Sequence, residues 1–338
     1  MTVQQGVVVG LDNGGTANNG TVMTLDGRFL VDRLVEVPSR VTEGPAAAID
    51  ALEETLHTVL EVVSLDRSAV RAVGLDTPGP ASAHGVISSR GSTNFLHPGW
   101  RGFDVRSALE QRLGVPVVYN NDANAATLYA HVRYFGVAAD LRSSVAAIVG
   151  TGLGGGVVHK GHLITGATGM AGELGHVLLP TEGLLEPGQP VPRCNCGQYG
   201  DVESYASLTG IRNNLLPYWL TRYPRHELHG VDPIQAARAV RGLGERGDEM
   251  ALKIFEQQAR ALGRLFTIAS NFTDPDAYFV GGGVVEAAPH FRDWYLNKVA
   301  ESTSLREEQR AAAVFAVVPD LDMAGARGSA IAALAALT

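Results

Sequence analysis

Val145-Ala146-Ala147-Ile148-Val149 runs directly into Gly150-Thr151-Gly152-Leu153-Gly154-Gly155-Gly156, and Val157-Val158-His159 follows. Short apolar β-branched runs read as strands, and glycines between two of them read as a turn. Five glycines in seven residues lose much backbone entropy on folding, which a plain loop does not require. Their use is close approach of a ligand to the backbone, and a phosphate chain suits such N–H groups.

The chain opens in a similar way. An apolar run over 7–11 ends in Asp12-Asn13-Gly14-Gly15-Thr16. The N–H groups of Gly14, Gly15 and Thr16 suit phosphate oxygens, with Asp12 holding a hydrated Mg²⁺ beside them. An ordinary hairpin turn has the same composition. No Gly-Lys-Ser/Thr follows, so this is not a Walker A motif. A third run, Gly281-Gly282-Gly283, follows a strand over 277–280 and suits the passage of a flat base or ribose.

Outward from these turns the chain reads as two similar halves. Strands over 21–25 and 29–35 flank Asp26-Gly27, a hairpin signal. Ile49, Leu52, Leu56, Leu60 and Val63 share one face of a helix over 46–63. Strands over 70–75 and 115–119 and a helix over 122–134 complete the order β-β-β-α-β-α-β-α. In the second half helices fill 204–269, a strand covers 314–318 and an Ala-rich helix over 325–337 closes the chain. The pattern predicts an α/β protein with a duplicated fold and a cleft between its halves.

Composition fits that reading. The chain has 338 residues, 45% hydrophobic and 18% charged, enough for two domains with separate cores. A net charge of −8 argues against nucleic-acid binding, which needs a basic footprint. The two cysteines, Cys194 and Cys196, are too close for an ordinary disulfide, which points to a reducing compartment. No signal peptide and no membrane span are expected, since no apolar run approaches roughly 20 residues.

Two further clusters carry chemistry. Asn120-Asn121-Asp122-Ala123-Asn124 stands between a strand and a helix. Asp122 is either the helix N-cap or a general base for an attacking hydroxyl, and the peptide alone favours the cap. Glu173-Leu174-Gly175-His176 precedes Cys194-Asn195-Cys196-Gly197-Gln198-Tyr199-Gly200-Asp201-Val202-Glu203. His, Cys-x-Cys and Asp are ligand types for Zn²⁺; two unmetallated thiols in a loop are the alternative.

In this order the motifs resemble the ROK family of sugar kinases and sugar-sensing repressors, within the actin-like ATPase superfamily. The resemblance runs over nearly the whole chain, through Asp12–Thr16, Pro78-Gly79, Asn121-Asp122, Gly150–Gly156, Glu173–His176 and Cys194–Glu203. It implies the actin-like (ribonuclease H-like) fold and ATP-dependent phosphorylation of a primary hydroxyl of a hexose. The small domain is expected to span 1–121 and regain about 320–338, with 122–319 as the large one. Asp122 would be the base. Asn94, Asn121, Glu173, His176 and Glu203 would bind sugar hydroxyls. Gly150, Thr151, Gly152, Gly154, Gly155 and Gly281–Gly283 would meet the nucleotide. His176, Cys194, Cys196 and Asp201 would hold zinc. A cytoplasmic homodimer is expected. Other acceptors in the same reading are N-acetylhexosamine, N-acetylmannosamine, fructose or a cyclitol. A non-catalytic regulator would need a DNA-binding segment ahead of Asp12, and residues 1–11 leave no room for one.

This chain departs from the family pattern at four places. Asp201 replaces a usual third cysteine, and the stretch between His176 and Cys194 is long. Ala17 follows Thr16 where Lys or Ser is frequent. Asp76 stands in place of a small residue. A carboxylate at Asp76 is costly unless it bonds a hydroxyl, an amine or a basic side chain, so it either reads a substrate hydroxyl or is a solvated loop acid.

Overall fold

The structure is a computed structural model that describes residues 6–79, 81–87 and 95–337. It divides into two compact units. One holds the chain up to Ala139, Leu163–Ala171 and the chain from Pro319; the other holds Asp140–His162 and Gly172–Val318.

The first unit contains β1 (Val7–Asn13), β2 (Ala17–Thr24), β3 (Glu36–Pro38), α1 (Pro45–Val62), β4 (Val70–Thr77), α2 (Val105–Leu113), β5 (Val117–Asn121) and α3 (Asp122–Phe135). Its strands pair in the order β3-β2-β1-β4-β5. β1 and β2 are antiparallel, while β1, β4 and β5 run parallel. The parallel register sets Asp12 beside Asp76, and Asp76 beside Asn120. Polar groups therefore gather at the carboxyl ends of three strands, where ligands bind in open α/β sheets. α1 starts with Pro45 at its first turn and buries Ile49, Leu52, Leu56 and Leu60. These join Val9, Leu11, Val73 and Leu75 in the core.

The second unit repeats the plan. β6 (Ser144–Val149), β7 (Leu153–His159), β8 (His162–Leu163), β9 (Ala277–Gly281) and β10 (Val314–Val317) pair in the order β10-β9-β6-β7-β8. Strand for strand this is the first sheet again, so the duplication read from the sequence is real. Between β8 and β9 lie α4 (Val202–Ala206), α5 (Leu208–Gly210), α6 (Leu216–Arg222), α7 (Pro233–Glu245) and α8 (Glu249–Thr273); α9 (Pro289–Ser302) and α10 (Glu307–Ala312) precede β10. α8 is capped by Asp248, which accepts from Ala251 N at 2.8 Å. Its apolar face buries Ile254, Phe255, Leu262 and Phe266.

The closing helix α11 (Leu321–Ala335) packs on β1, β4 and α3. It comes so near that a methyl group at Gly10 would fall on the Ala326 carbonyl oxygen, and one at Gly74 on that of Ser329. Gly328 meets Ala125 of α3 equally closely. Tyr129 of α3 and Arg327 of α11 both donate to Asp320 Oδ2, at 2.6 and 2.7 Å. These contacts carry α3 into the first unit, beyond the boundary expected at residue 121.

Two other expectations differ from the structure. The strand expected over 29–35 is reduced to a single bridge, Met23 to Phe29, and the ladder resumes at Glu36–Pro38. The turn after β6 is only Gly150–Gly152; Gly154, Gly155 and Gly156 lie in β7 and pair with Ile148, Ala147 and Ala146. Gly155 is small for a packing reason, since a Cβ there would sit 2.7 Å from Leu174 Cδ1.

Gly74→Ala should force α11 away from the sheet and cost about 1–3 kcal/mol, the range for overpacked sites. Urea unfolding reads this directly; an unchanged midpoint would show that the helix has slack.

Candidate active site

In the first unit the acids meet at the strand ends. Asp76 is 0% exposed. Its Oδ2 accepts from Ser329 Oγ at 2.7 Å, and a further hydrogen bond joins it to Asp12. Burial first, then the charge of Asp12, pushes the Asp76 carboxyl well above its ordinary value, which favours its protonated form. Burial also raises Asp12, opposed by the bonds from Asp76 and Asn19. Asn19 Nδ2 donates to Asp12 Oδ2 at 3.3 Å. Asp76 therefore faces Ser329 and Asp12. With no exposed surface it is not a solvated acid.

At the end of β5 two side chains reach the first turn of α3. Asn121 is the N-cap of α3, its Oδ1 accepting from Ala123 N at 3.0 Å and Asn124 N at 3.4 Å. Asp122 is the first helical residue and is half-buried. Asn121 holds the cap position, and Asp122 Oδ1 also accepts from Ala123 N at 2.7 Å. The turn between β1 and β2 is a tight hairpin whose Gly14 N–H donates to Ala17 O at 3.0 Å, so that N–H is not available to a phosphate. Asn94 lies outside the described residues.

In the second unit Glu203 organises the site. Its Oε2 accepts from Leu153 N at 2.9 Å, and Cys194 Sγ donates to its Oε1 at 3.3 Å. A Cβ on Gly152 would come 2.7 Å from that Oε2, so the glycine lets the carboxylate reach the turn. Glu173 begins the short helix Leu174–His176 without a side-chain cap bond. Burial lifts its carboxyl above the usual range, with the charges of His176 and Glu203 acting in opposite directions.

His176, Cys194, Cys196 and Asp201 bring their ligand atoms within 4.8 Å of one another. His176 Nδ1 lies 3.2 Å from Asp201 Oδ2 and 4.0 Å from Cys194 Sγ; Cys196 Sγ lies 3.6 Å from Asp201 Oδ2. A tetrahedral zinc with N, O and S ligands has ligand–ligand edges of roughly 3.2–3.8 Å, so the cluster fits such an ion with little adjustment. Asp201 divides its oxygens: Oδ1 caps α4 by accepting from Ser204 N at 3.0 Å, which leaves Oδ2 towards the cluster. Taken by themselves, the groups share protons. The bond to Asp201 lifts His176 to about 9. Burial pushes the Cys194 thiol up.

Beside the Gly150–Gly152 turn lies a cavity of about 420 Å³. Gly150, Thr151 and Gly283 contribute backbone, Leu208, Ile211, Ala237, Phe255 and Val284 apolar walls, and Arg238 and Arg241 charge. Arg241 Nη1 donates to Gly283 O at 2.6 Å. The turn into the cavity needs Gly282, whose φ is 91° and whose Cβ would strike the Val149 backbone. Sequence reasoning found the three backbone contributors but none of the walls. Those come from α5, α7 and α8, from the π-helical turn Ile211–Leu215 and, for Val284, from the turn after β9, and they carry no motif.

The family model for the ROK family matches residues 8–336. The chain belongs to the ROK family. A glucokinase from Halalkalibacterium halodurans is 30% identical over 88% of this chain and 89% of its own. An N-acetylmannosamine kinase from Shigella flexneri is 31% identical over 82% of this chain and 83% of its own. Among solved structures, the ROK hexokinase from Thermus thermophilus is 32% identical, covers 98% of this chain and 99% of its own, and has a TM-score of 0.74. The actin-like α/β fold follows from these likenesses and from the two matching sheets.

The Asp76 proton gives a stability test in the ROK chain. A folded-state value raised above the ordinary 3.9 or so means the native state binds the extra proton. Stability from this group is therefore full at low pH and declines as pH rises above about 4. Asp76→Asn keeps the shape and a donor towards Asp12 without that slope. Measured by urea unfolding in chelator, the variant should gain on the wild type as pH rises from 4 to 8. A constant difference would mean that Asp76 is ionised in the fold.

Proposed function

We propose that this protein transfers the γ-phosphoryl group of ATP to a primary hydroxyl of a hexose, with Asp122 as the general base. The reading is carried by the cavity of about 420 Å³ with Gly150, Thr151 and Gly283 among its backbone contributors. An apolar slot beside a glycine turn suits a nucleoside triphosphate. The curated relatives, named as a glucokinase and an N-acetylmannosamine kinase, support the sugar as acceptor.

In this reading Asp122 accepts the proton of the attacking hydroxyl, while Asn121, through its amide N–H₂, and Glu173, His176 and Glu203 bond the sugar's other hydroxyls. Burial keeps Glu173 apart from bulk water, which strengthens a bond to a hydroxyl. Asp12 offers the oxygen ligand that suits a hydrated Mg²⁺; when bound with ATP, that ion neutralises phosphate charge. His176, Cys194, Cys196 and Asp201 would hold zinc, which would fix the loop leading to Glu203. Among the described residues no helix is long and apolar enough to cross a membrane. A cytoplasmic homodimer completes the proposal, and sedimentation at micromolar concentration checks the dimer.

Asp122→Asn should lower turnover by about two orders of magnitude or more. Its unfolding midpoint should stay near the wild type, because Asn121 caps the helix. Near-normal turnover would remove Asp122 from the chemistry. Coupled ATP-consumption assays over glucose, mannose, fructose, N-acetylmannosamine and cyclitols should give the highest kcat/KM for a hexose. A clear preference for N-acetylmannosamine would select the second relative's substrate.

Protein purified without added metal should carry close to one zinc per chain by elemental analysis. Chelator should lower the unfolding temperature and weaken sugar binding together. Substoichiometric zinc with full activity in chelator would mean that two reduced thiols and a hydrogen-bonded Asp201 suffice.

A further inference from the structure

The cavity beside the Gly150–Gly152 turn has one feature that its apolar walls do not explain. Gln258 of α8 lines it, one helical turn from Phe255. The residue is 1% exposed. Its Nε2 donates to the carbonyl oxygen of Ala206. Its Oε1 is buried and, among the described residues, has no hydrogen-bond partner. The amide is fixed in this orientation, because the flipped form would set Oε1 against the Ala206 oxygen, acceptor against acceptor. A buried acceptor without a donor bears the desolvation cost of burial with nothing in return, and such a group calls for an explanation.

The other polar side chains of the lining are placed differently. Thr151 and Arg238 are exposed, and Arg241 is bonded to the Gly283 carbonyl. The buried amide instead accompanies Phe255, Leu208 and Ile211, the residues suited to the faces of a base. Given the nucleotide reading above, on which this inference rests, the group that meets Gln258 is the edge of the purine. Adenine carries an amino group at position 6, a donor. Guanine and hypoxanthine carry a carbonyl there, an acceptor that Oε1 repels.

We propose that Gln258 reads the 6-position of the purine through Oε1 and makes the phosphoryl-donor site selective for adenine nucleotides. Acceptor-to-donor complementarity gives the preference, and acceptor-to-acceptor opposition rejects the 6-oxo purines. The apolar walls hold the ring without distinguishing bases. Specificity then rests on one amide, held by Ala206.

Three nucleotides separate the possibilities: ATP, ITP with its 6-carbonyl, and purine riboside triphosphate with hydrogen at position 6. The wild type should use ATP with a kcat/KM about tenfold or more above the other two, as loss of one buried hydrogen bond implies. Gln258→Met keeps the volume and removes both polar groups. It should lower kcat/KM for ATP and leave the other two within about twofold, so the preference falls below about threefold. Equal use of ATP and ITP by the wild type overturns the proposal without any variant. A variant that loses activity with all three nucleotides in proportion also overturns it, since that is what a purely structural bond to Ala206 would give.

Ala237→Phe, on the opposite wall, tests the underlying site. It should raise KM for all three nucleotides by about tenfold, as a filled slot would. If KM is unchanged, the base lies elsewhere and the nucleotide reading itself fails. If KM rises but the wild type shows no ATP preference, the site stands and the role of Gln258 is lost.

Discussion

The first unit depends on how closely α11 lies on its sheet. Gly10 and Gly74 have no side chains, and the carbonyl groups of Ala326 and Ser329 occupy the space that side chains would take. Only at that distance does Ser329 Oγ reach Asp76. Asp76, pushed towards its protonated form by burial, in turn stands against Asp12. Gly328 brings α3 to the same helix, and α3 begins at Asp122. The placement of three acids thus follows from the absence of two Cβ atoms. The cost of two neighbouring carboxyl groups in a dry site falls when one of them is neutral, the direction in which burial and the charge of Asp12 push Asp76.

In the second unit the corresponding connection is electrostatic. Glu203 receives Leu153 N on one oxygen and Cys194 on the other, so the turn after β6 and the Cys-x-Cys loop are tied through one carboxylate. Asp201 works similarly between the α4 cap and the His176 cluster. Small residues again make the approach possible: Gly152 gives room to Glu203, and Gly155 lets Leu174 lie flat on β7. A cation held by the cluster would stiffen Glu203 and the turn together, because the same hydrogen-bonded piece contains both.

Several motif residues have physical reasons that differ from the ones their composition suggests. Five glycines after β6 read as a phosphate cradle, yet Gly154, Gly155 and Gly156 are strand residues. Asp122 reads as a cap, yet Asn121 performs that task. Asp76 reads as a substrate ligand or a solvated acid, yet it is buried against Ser329, 253 residues away in sequence. In each case local composition is compatible with two environments. Which one applies depends on a partner that is distant along the chain.

The sequence by itself determined the duplicated β-β-β-α-β-α-β plan, the glycine turns, the Asn121-Asp122 pair and the His176, Cys194, Cys196 and Asp201 set. These rest on local spacing, on strand and helix periods and on side-chain chemistry, all of which are written in neighbouring residues. Only the tertiary structure decided that Asp76 is a buried partner of Asp12, that Glu203 joins two loops, and that Leu208, Ala237, Phe255 and Gln258 share one cavity. Those facts arise where separate helices and strands meet. Burial, proton sharing and an unpartnered amide oxygen are properties of that packing, not of any stretch of chain read alone.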